Sequence, residues 1–317
     1  MPAALLVLAC VLWGLSFPII KALDLVQSER LPHASKEFLA AWLQSARFGL
    51  AALIMSPLMI HLRPNRRELT QGAWLALWGG LGMALQAWGL AFTTASTSAF
   101  LTQAHCVFLP LVACLKSRRL PTARTLAATT LVLGGVAILS GVHPGRFQLG
   151  KGETLTLLAA FVFTFQILTL ENPRHQGNRG IVVTFVMCSF IALIFFPIAA
   201  ILAPNPHAML DAGRSAPVLL LITGLALLCS VAAFSLMNTW QPQVSATEAG
   251  LIYTMEPVFT ALFALFLPAW LALMTGSGGE NESLTSSSLI GGALILTANL
   301  IVQWRRPPHP PAISPMP

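Results

Sequence analysis

The sequence predicts an all-α integral membrane protein of ten transmembrane helices, arranged as two inverted five-helix repeats. Three observations carry this expectation. Charged residues make up 9% of the 317 residues and hydrophobic residues 56%, against about 25% charged in soluble proteins. The apolar residues fall into runs near the ~20 residues that a helix needs to cross a bilayer. Finally, segments of the second half can be laid on segments of the first at nearly constant offsets.

Taken in order, the first half offers spans at roughly 3–20, 39–60, 72–93, 97–115 and 125–142. The second half offers roughly 153–170, 181–203, 216–238, 246–267 and 287–304 on the same length criterion. The first run, Ala3 to Ile20, has no basic segment before it and is long for a signal core, so it reads as a retained span. The short connections Thr94-Ala95-Ser96 and Gln241-Pro242-Gln243 make spans three and four, and spans eight and nine, antiparallel neighbours. Residues 269–274 either extend span nine or lie in the membrane interface. The domain expectation is a first repeat at 1–142, a second at 143–304, and a tail at 305–317. The tail's prolines exclude a helix, and an extended, mobile cytoplasmic end is expected.

The repeat is clearest in spans four and nine. Ser98-Ala99-Phe100-Leu101 lies on Ala249-Gly250-Leu251-Ile252 at an offset of 151, which sets Val107-Phe108 on Val258-Phe259 and His105 on Glu256. Gly134-Gly135 lies on Gly291-Gly292, and Trp13-Gly14 lies more weakly on Phe163-Thr164. Matches in the same order along the chain argue for a duplicated half.

Orientation follows from Lys and Arg. Arg63, Arg66, Arg67, Lys116, Arg118, Arg119, Arg124, Arg174, Arg179, Arg305 and Arg306 fall on one side; Lys21, Arg30, Lys36, Arg146, Lys151 and Arg214 fall on the other. The richer side is cytoplasmic, so both termini are expected inside. Five spans per half is an odd number, so the halves enter the membrane from opposite sides. That is the inverted repeat of secondary transporters, whose solute site lies near the midplane.

Glu256 sits near the middle of the ninth run, followed at once by Pro257. An intramembrane carboxylate is costly and faces a protein interior or a wet cavity. Pro257 cannot donate to the carbonyl of Tyr253, so a kink is expected there. Ala249, Tyr253, Glu256 and Thr260 share one helical face, and the offset puts Ser98, Thr102, His105 and Leu109 on the equivalent face of span four. The candidate solute-binding residues are Trp13, Phe17, Gln86, Thr102, His105, Gln166, Asn238, Tyr253 and Glu256. A structural reading stands beside each. Glu256 could be a neutral acid bonded to a backbone carbonyl, His105 a neutral imidazole held by one neighbour, the amides interhelical glue, and Trp13 and Phe17 lipid-facing packing. Arg47 is expected to snorkel to the outer interface, and the paired glycines to be close-packing steps. Cys10, Cys106, Cys114, Cys188 and Cys229 lie in apolar runs without metal-ligand spacing, and read as small buried side chains.

These residues resemble the EamA family of the drug/metabolite transporter superfamily. The resemblance rests on Trp13-Gly14-Leu15-Ser16-Phe17, Ala46-Arg47-Phe48, Thr247-Glu248-Ala249, Met255-Glu256-Pro257-Val258-Phe259 and the Gly-Gly steps of spans five and ten. It implies a ten-helix carrier for small organic metabolites, amino acids or related solutes among them, working outward by alternating access in the cell membrane. The first repeat departs from the family pattern, with His105-Cys106 where the second has Glu256-Pro257. Expected partners are a small-molecule substrate, the lipid bilayer and a coupling proton, with a homo-oligomer left open; no nucleic acid, metal or cofactor is expected. The rival classes are an intramembrane enzyme and a channel. The spans offer no carboxylate pair, HExxH or nucleophile elbow, and no rings of like charge, so no enzymatic activity is expected.

Overall fold

The computed structural model describes residues 2–118, 120–139, 149–244, 249 and 252–303. The proline-rich tail lies outside the described residues, as do the Thr247-Glu248 and Gly250-Leu251 steps. The described residues are helical and connected by short turns, with no strand among them.

Helix α1 spans Pro2–Arg30, α2 Lys36–Met59, and α3 Arg66–Leu90. A broken pair follows, α4 at Ala95–Thr102 and α5 at His105–Ser117, then α6 at Ala123–Leu139 and α7 at Lys151–Leu170. In the second half α8 spans Gly180–Leu202, and a short α9 spans Ala208–Asp211. Helix α10 at Ala216–Gly224 runs through a π-helical stretch, Leu225–Ala232, into α11 at Ala233–Trp240. Helices α12 at Met255–Ala264, α13 at Leu267–Thr275 and α14 at Ser286–Gln303 close the chain.

Helix starts are set by local chemistry. The Ser35 side chain accepts from the Phe38 N–H, and Thr94 Oγ1 accepts from the Thr97 N–H. Asn65 and Glu68 form a reciprocal capping box at the head of α3. Such caps satisfy N–H groups that the first helical turn leaves free.

This is a multi-pass membrane protein. Among the described residues six helices are long and apolar enough to cross a bilayer, seven if the bent pair α12–α13 is one span. Helices α6 and α14 are apolar but shorter. Helix α3 has the length and not the hydropathy, because Trp, Gly and Gln occupy much of it. Helices therefore occupy the positions of the expected spans, but fewer of them satisfy the length and composition test.

Three boundaries differ from expectation. Helix α1 continues about ten residues past Ile20, and Lys21 and a Lys36–Asp24 ion pair at 2.7 Å tie down the start of that extension. Residues 269–274 belong to α13, which is bent by 54° from α12. The ninth run is interrupted before Pro257 rather than kinked by it: Ile252 and Tyr253 are helical, Thr254 is a turn, and α12 begins at Met255. Pro257 thus sits in a first helical turn, where its missing N–H costs no hydrogen bond.

The other broken helix is interrupted at Gln103-Ala104. Gln103 and Thr254 are 151 positions apart, the offset that aligns the two segments. One apolar core joins α1, α2, α3 and α8 to the α10–α11 helix; a smaller one, built on Phe100, Leu101, Val136 and Ile295, joins α4–α5 to α6 and α14.

Candidate functional site

The two broken helices meet at an internal cavity. Its volume of about 110 Å³ is several times the ~10–15 Å³ that one water requires. Close helix approaches build it. A Cβ on Gly14 would stand 2.9 Å from Thr260 N, so only glycine lets α1 lie directly on α12 and bring Trp13 beside Tyr253. On the opposite wall a Cβ on Gly79 would stand 2.8 Å from Gln166 Nε2, so α3 leaves room for the Gln166 amide of α7.

Of the expected site residues, Trp13, Phe17, Gln86, Thr102, His105, Gln166, Tyr253 and Glu256 all line this cavity. Asn238 is not among its lining residues; its Nδ2 donates to Thr184 Oγ1 at 2.9 Å, tying α11 to α8. The Trp13 ring centroid lies 5.4 Å from Phe234 and 5.8 Å from Tyr253, which makes an aromatic wall rather than a lipid-facing pair.

The breaks release backbone groups, and side chains take them up. Thr102 Oγ1 donates to Ser98 O at 2.8 Å and accepts from Gln86 Nε2 at 2.8 Å. His105 Nδ1 lies 2.8 Å from Thr102 O; a carbonyl only accepts, so Nδ1 carries the proton. Its Nε2 lies 3.4 Å from Cys106 Sγ. Tyr253 donates to Gln241 Oε1 at 2.7 Å. Glu256 is partly buried, with no side-chain hydrogen bond to the described residues; its backbone carbonyl accepts from Thr260 Oγ1 at 3.1 Å.

Arg47 overturns the snorkelling expectation. It is 3% exposed and lines the cavity. Nε donates to Ser230 Oγ at 2.6 Å and Nη2 to Cys229 O at 2.8 Å, both on the π-helical stretch. The signal for this was its depth: Arg47 lies eight residues into the expected span, and at ~1.5 Å per residue that is about 12 Å from the edge. Ser16, Phe163, Phe234 and Gln241 also line the cavity and were not singled out from the sequence.

Side-chain clasps lie toward the two ends of α3. At its start Glu68, 1% exposed, accepts from Arg179 Nε at 2.7 Å and Nη2 at 2.8 Å. Arg179 Nη2 also reaches Arg63 O at 2.7 Å. The Arg179 side chain, together with the Asn65 and Arg179 backbone N–H groups, holds the Glu68 carboxyl down at about 2, although burial pulls it upward. Toward the other end Lys21 Nζ donates to Leu90 O and Thr93 O, both at 2.8 Å, and Glu282 accepts from the Ala95 and Ser96 N–H groups at the head of α4. None of the five cysteines is in a disulfide, and no group of three or more His, Cys, Asp or Glu among the described residues could hold a metal ion.

Fold and cavity together define a class, a multi-pass helical membrane protein with a largely apolar cavity that also holds ionisable and amide side chains. Residues 1–141 match the EamA-like transporter family. A protein of Archaeoglobus fulgidus described as an uncharacterized transporter is 25% identical over 301 residues, covering 95% of this chain and 85% of that one. A solved structure described only as "Crystal structure of protein" is 14% identical with a TM-score of 0.49, covering 92% of this chain and 95% of that one. That likeness is too loose to bear on fold or function.

Proposed function

We propose that this protein is a secondary carrier that moves small organic solutes across the cell membrane, outward, by alternating access through the cavity between its halves. The observation that carries the reading is the pair of matched breaks at Gln103 and Thr254, which bring His105 and Glu256 to one cavity. Discontinuous helices that meet at a central site are how inverted-repeat carriers present polar groups at depth. The family match over 1–141 and the similar protein described as a transporter support the same role.

On this reading the chain is ten spans in two inverted halves, 1–142 and 143–304, with both termini cytoplasmic. The two halves rock about the cavity, and the clasps at Glu68–Arg179 and at Lys21 and Glu282 close its two sides in turn. Glu256, whose carboxyl makes no hydrogen bond among the described residues, is the group that couples solute movement to a proton. Purified protein in liposomes tests the class. Saturable counterflow of a labelled solute is the expected result. Ohmic current would make it a channel, and product formation an enzyme. Comparing right-side-out with inverted vesicles tests the outward direction.

A further inference from the structure

Arg47 is a buried cation that pairs with no anion among the described residues. The ion pairs Lys36–Asp24, Lys151–Glu37 and Arg179–Glu68 leave Arg47 out, and no ion pair of Arg47 is present among the described residues. Glu256 lines the same cavity, yet no ion pair or hydrogen bond joins it to Arg47. The two hydrogen bonds of Arg47 use Nε and one Nη2 proton, and their acceptors, a hydroxyl and a carbonyl, are neutral. Nη1 has no acceptor among the described residues. A charge left uncompensated inside a protein is strongly destabilising, and intramembrane ionisable groups pair with one another or mark a solute path.

The neighbouring backbone is shaped to aim this side chain. Leu225–Ala232 winds as a π-helix, and Ser230 Oγ donates to Leu225 O at 3.1 Å, five residues back. Ser230 Oγ accepts from Arg47 Nε, and the Cys229 carbonyl is left free for Nη2. Local π-helical turns recur at functional sites. This arrangement fixes one edge of the guanidinium and leaves Nη1 with the remaining Nη2 proton. A planar fork of that kind matches a carboxylate in two parallel hydrogen bonds. Around it Trp13, Phe17, Phe163, Phe234 and Met237 make the cavity wall apolar and aromatic.

We propose that Arg47 is the anion-binding group of this cavity, and that the solute it takes is an organic carboxylate with an apolar body. The inference takes the cavity to be the solute site, as the carrier reading does. Ser230 and the Cys229 carbonyl are positioning groups: they hold Arg47 and do not touch the solute.

The test is binding to purified protein, measured calorimetrically at pH 7, of carboxylates paired with their neutral amides. The panel is acetate and acetamide, phenylacetate and phenylacetamide, and indole-3-acetate and indole-3-acetamide. For at least one pair the acid should bind about tenfold or more tightly than its amide, the scale of a hydrogen bond to a charged group. Arg47→Gln should bring that ratio to about one, and Arg47→Lys, which keeps the charge and loses the fork, should leave it intermediate. An Arg47 that only fastens α2 to the π-helix would change stability without creating any preference for acid over amide. If Arg47→Gln fails to fold, the acid–amide comparison on the unaltered protein still decides. Equal binding within every pair, or no binding by any, overturns the proposal. If counterflow fails while the acid preference persists, the carrier reading falls and this one stands. If counterflow proceeds equally with acids and amides, and they bind equally, the reverse holds.

Discussion

Gly135 and Gly291 face each other across the α6–α14 crossing. A Cβ on Gly135 would come to 2.7 Å from Gly291 O, and a Cβ on Gly291 to 3.0 Å from Gly135 O. Backbone cannot yield as a flexible side chain can. Gly134, one residue away, has only Leu294 Cδ1 at 3.9 Å as a neighbour. Gly135→Ala should therefore lower the thermal unfolding midpoint in detergent, at an overpacking cost of about 1–3 kcal/mol. Gly134→Ala should be close to neutral. The same midpoint for both would mean that the crossing is not held this closely.

The Glu68–Arg179 clasp gives a pH signature. The Glu68 carboxyl is held at about 2, below its ordinary 4.5, chiefly by the Arg179 side chain. A depressed acid contributes stability that is fully present above its unfolded value and lost as pH falls through its folded value. The contribution should persist at pH 5 and disappear between about 4.5 and 2. Glu68→Gln should lower the midpoint at pH 7 and make little difference at pH 2. Because the Arg179 side chain is 42% exposed, salt should weaken the effect. A Glu68→Gln deficit that is equal at both pH values would show that packing, not charge, holds this end.

Much of the helix order and most of the cavity were legible because they depend on local signals. Apolar run length locates helices, and the offset of 151 pairs His105 with Glu256, which line one cavity. The rest needed distant partners. Nothing in Gln103-Ala104-His105 announces a broken helix, since no proline or glycine stands there; the break shows only when His105 Nδ1 takes up Thr102 O. Arg47 was misread because its partner Ser230 is 183 residues away, on a π-helical stretch whose sequence is almost uniformly apolar. Asn238 looked like Gln166 in sequence, and only the position of Thr184 separates a helix-to-helix tie from a cavity amide.

Topology tests the inverted arrangement directly. Reporter fusions after Arg119 and after Arg306 should read cytoplasmic, and one inserted within 278–283 should read external. The grounds are the Lys/Arg asymmetry and an odd number of spans in each half. An external reading after Arg306 would remove the inverted repeat, whatever the helices look like one by one.

The shared cavity of the two broken helices predicts shared solute protection. Thr102 and Tyr253 line one cavity from the two halves. Cysteine at either position, with the five native cysteines replaced, should react with a polar thiol reagent and be shielded by a transported solute. Shielding at neither position would argue that the cavity is not the path.

Glu256 carries the sharpest prediction. It stands in the first turn of α12, just past the break at Thr254, and lines the cavity with no side-chain hydrogen bond among the described residues. A purely structural acid in this setting would be expected to hold a neighbouring backbone carbonyl, and no such bond is present among the described residues. On the carrier reading, it is an acid whose surroundings change as the cavity opens to either side, wet in one state and enclosed in the next. Glu256→Gln keeps the shape and the amide's hydrogen-bonding capacity while removing the proton exchange. The variant should insert and unfold like the unaltered protein, bind solute at Arg47, and lose net transport driven by a proton gradient, while solute counterflow, which needs no net proton movement, survives. Gradient-driven transport that is undiminished in Glu256→Gln, with the same pH dependence, would assign the coupling to another group and leave His105 as the next residue to replace.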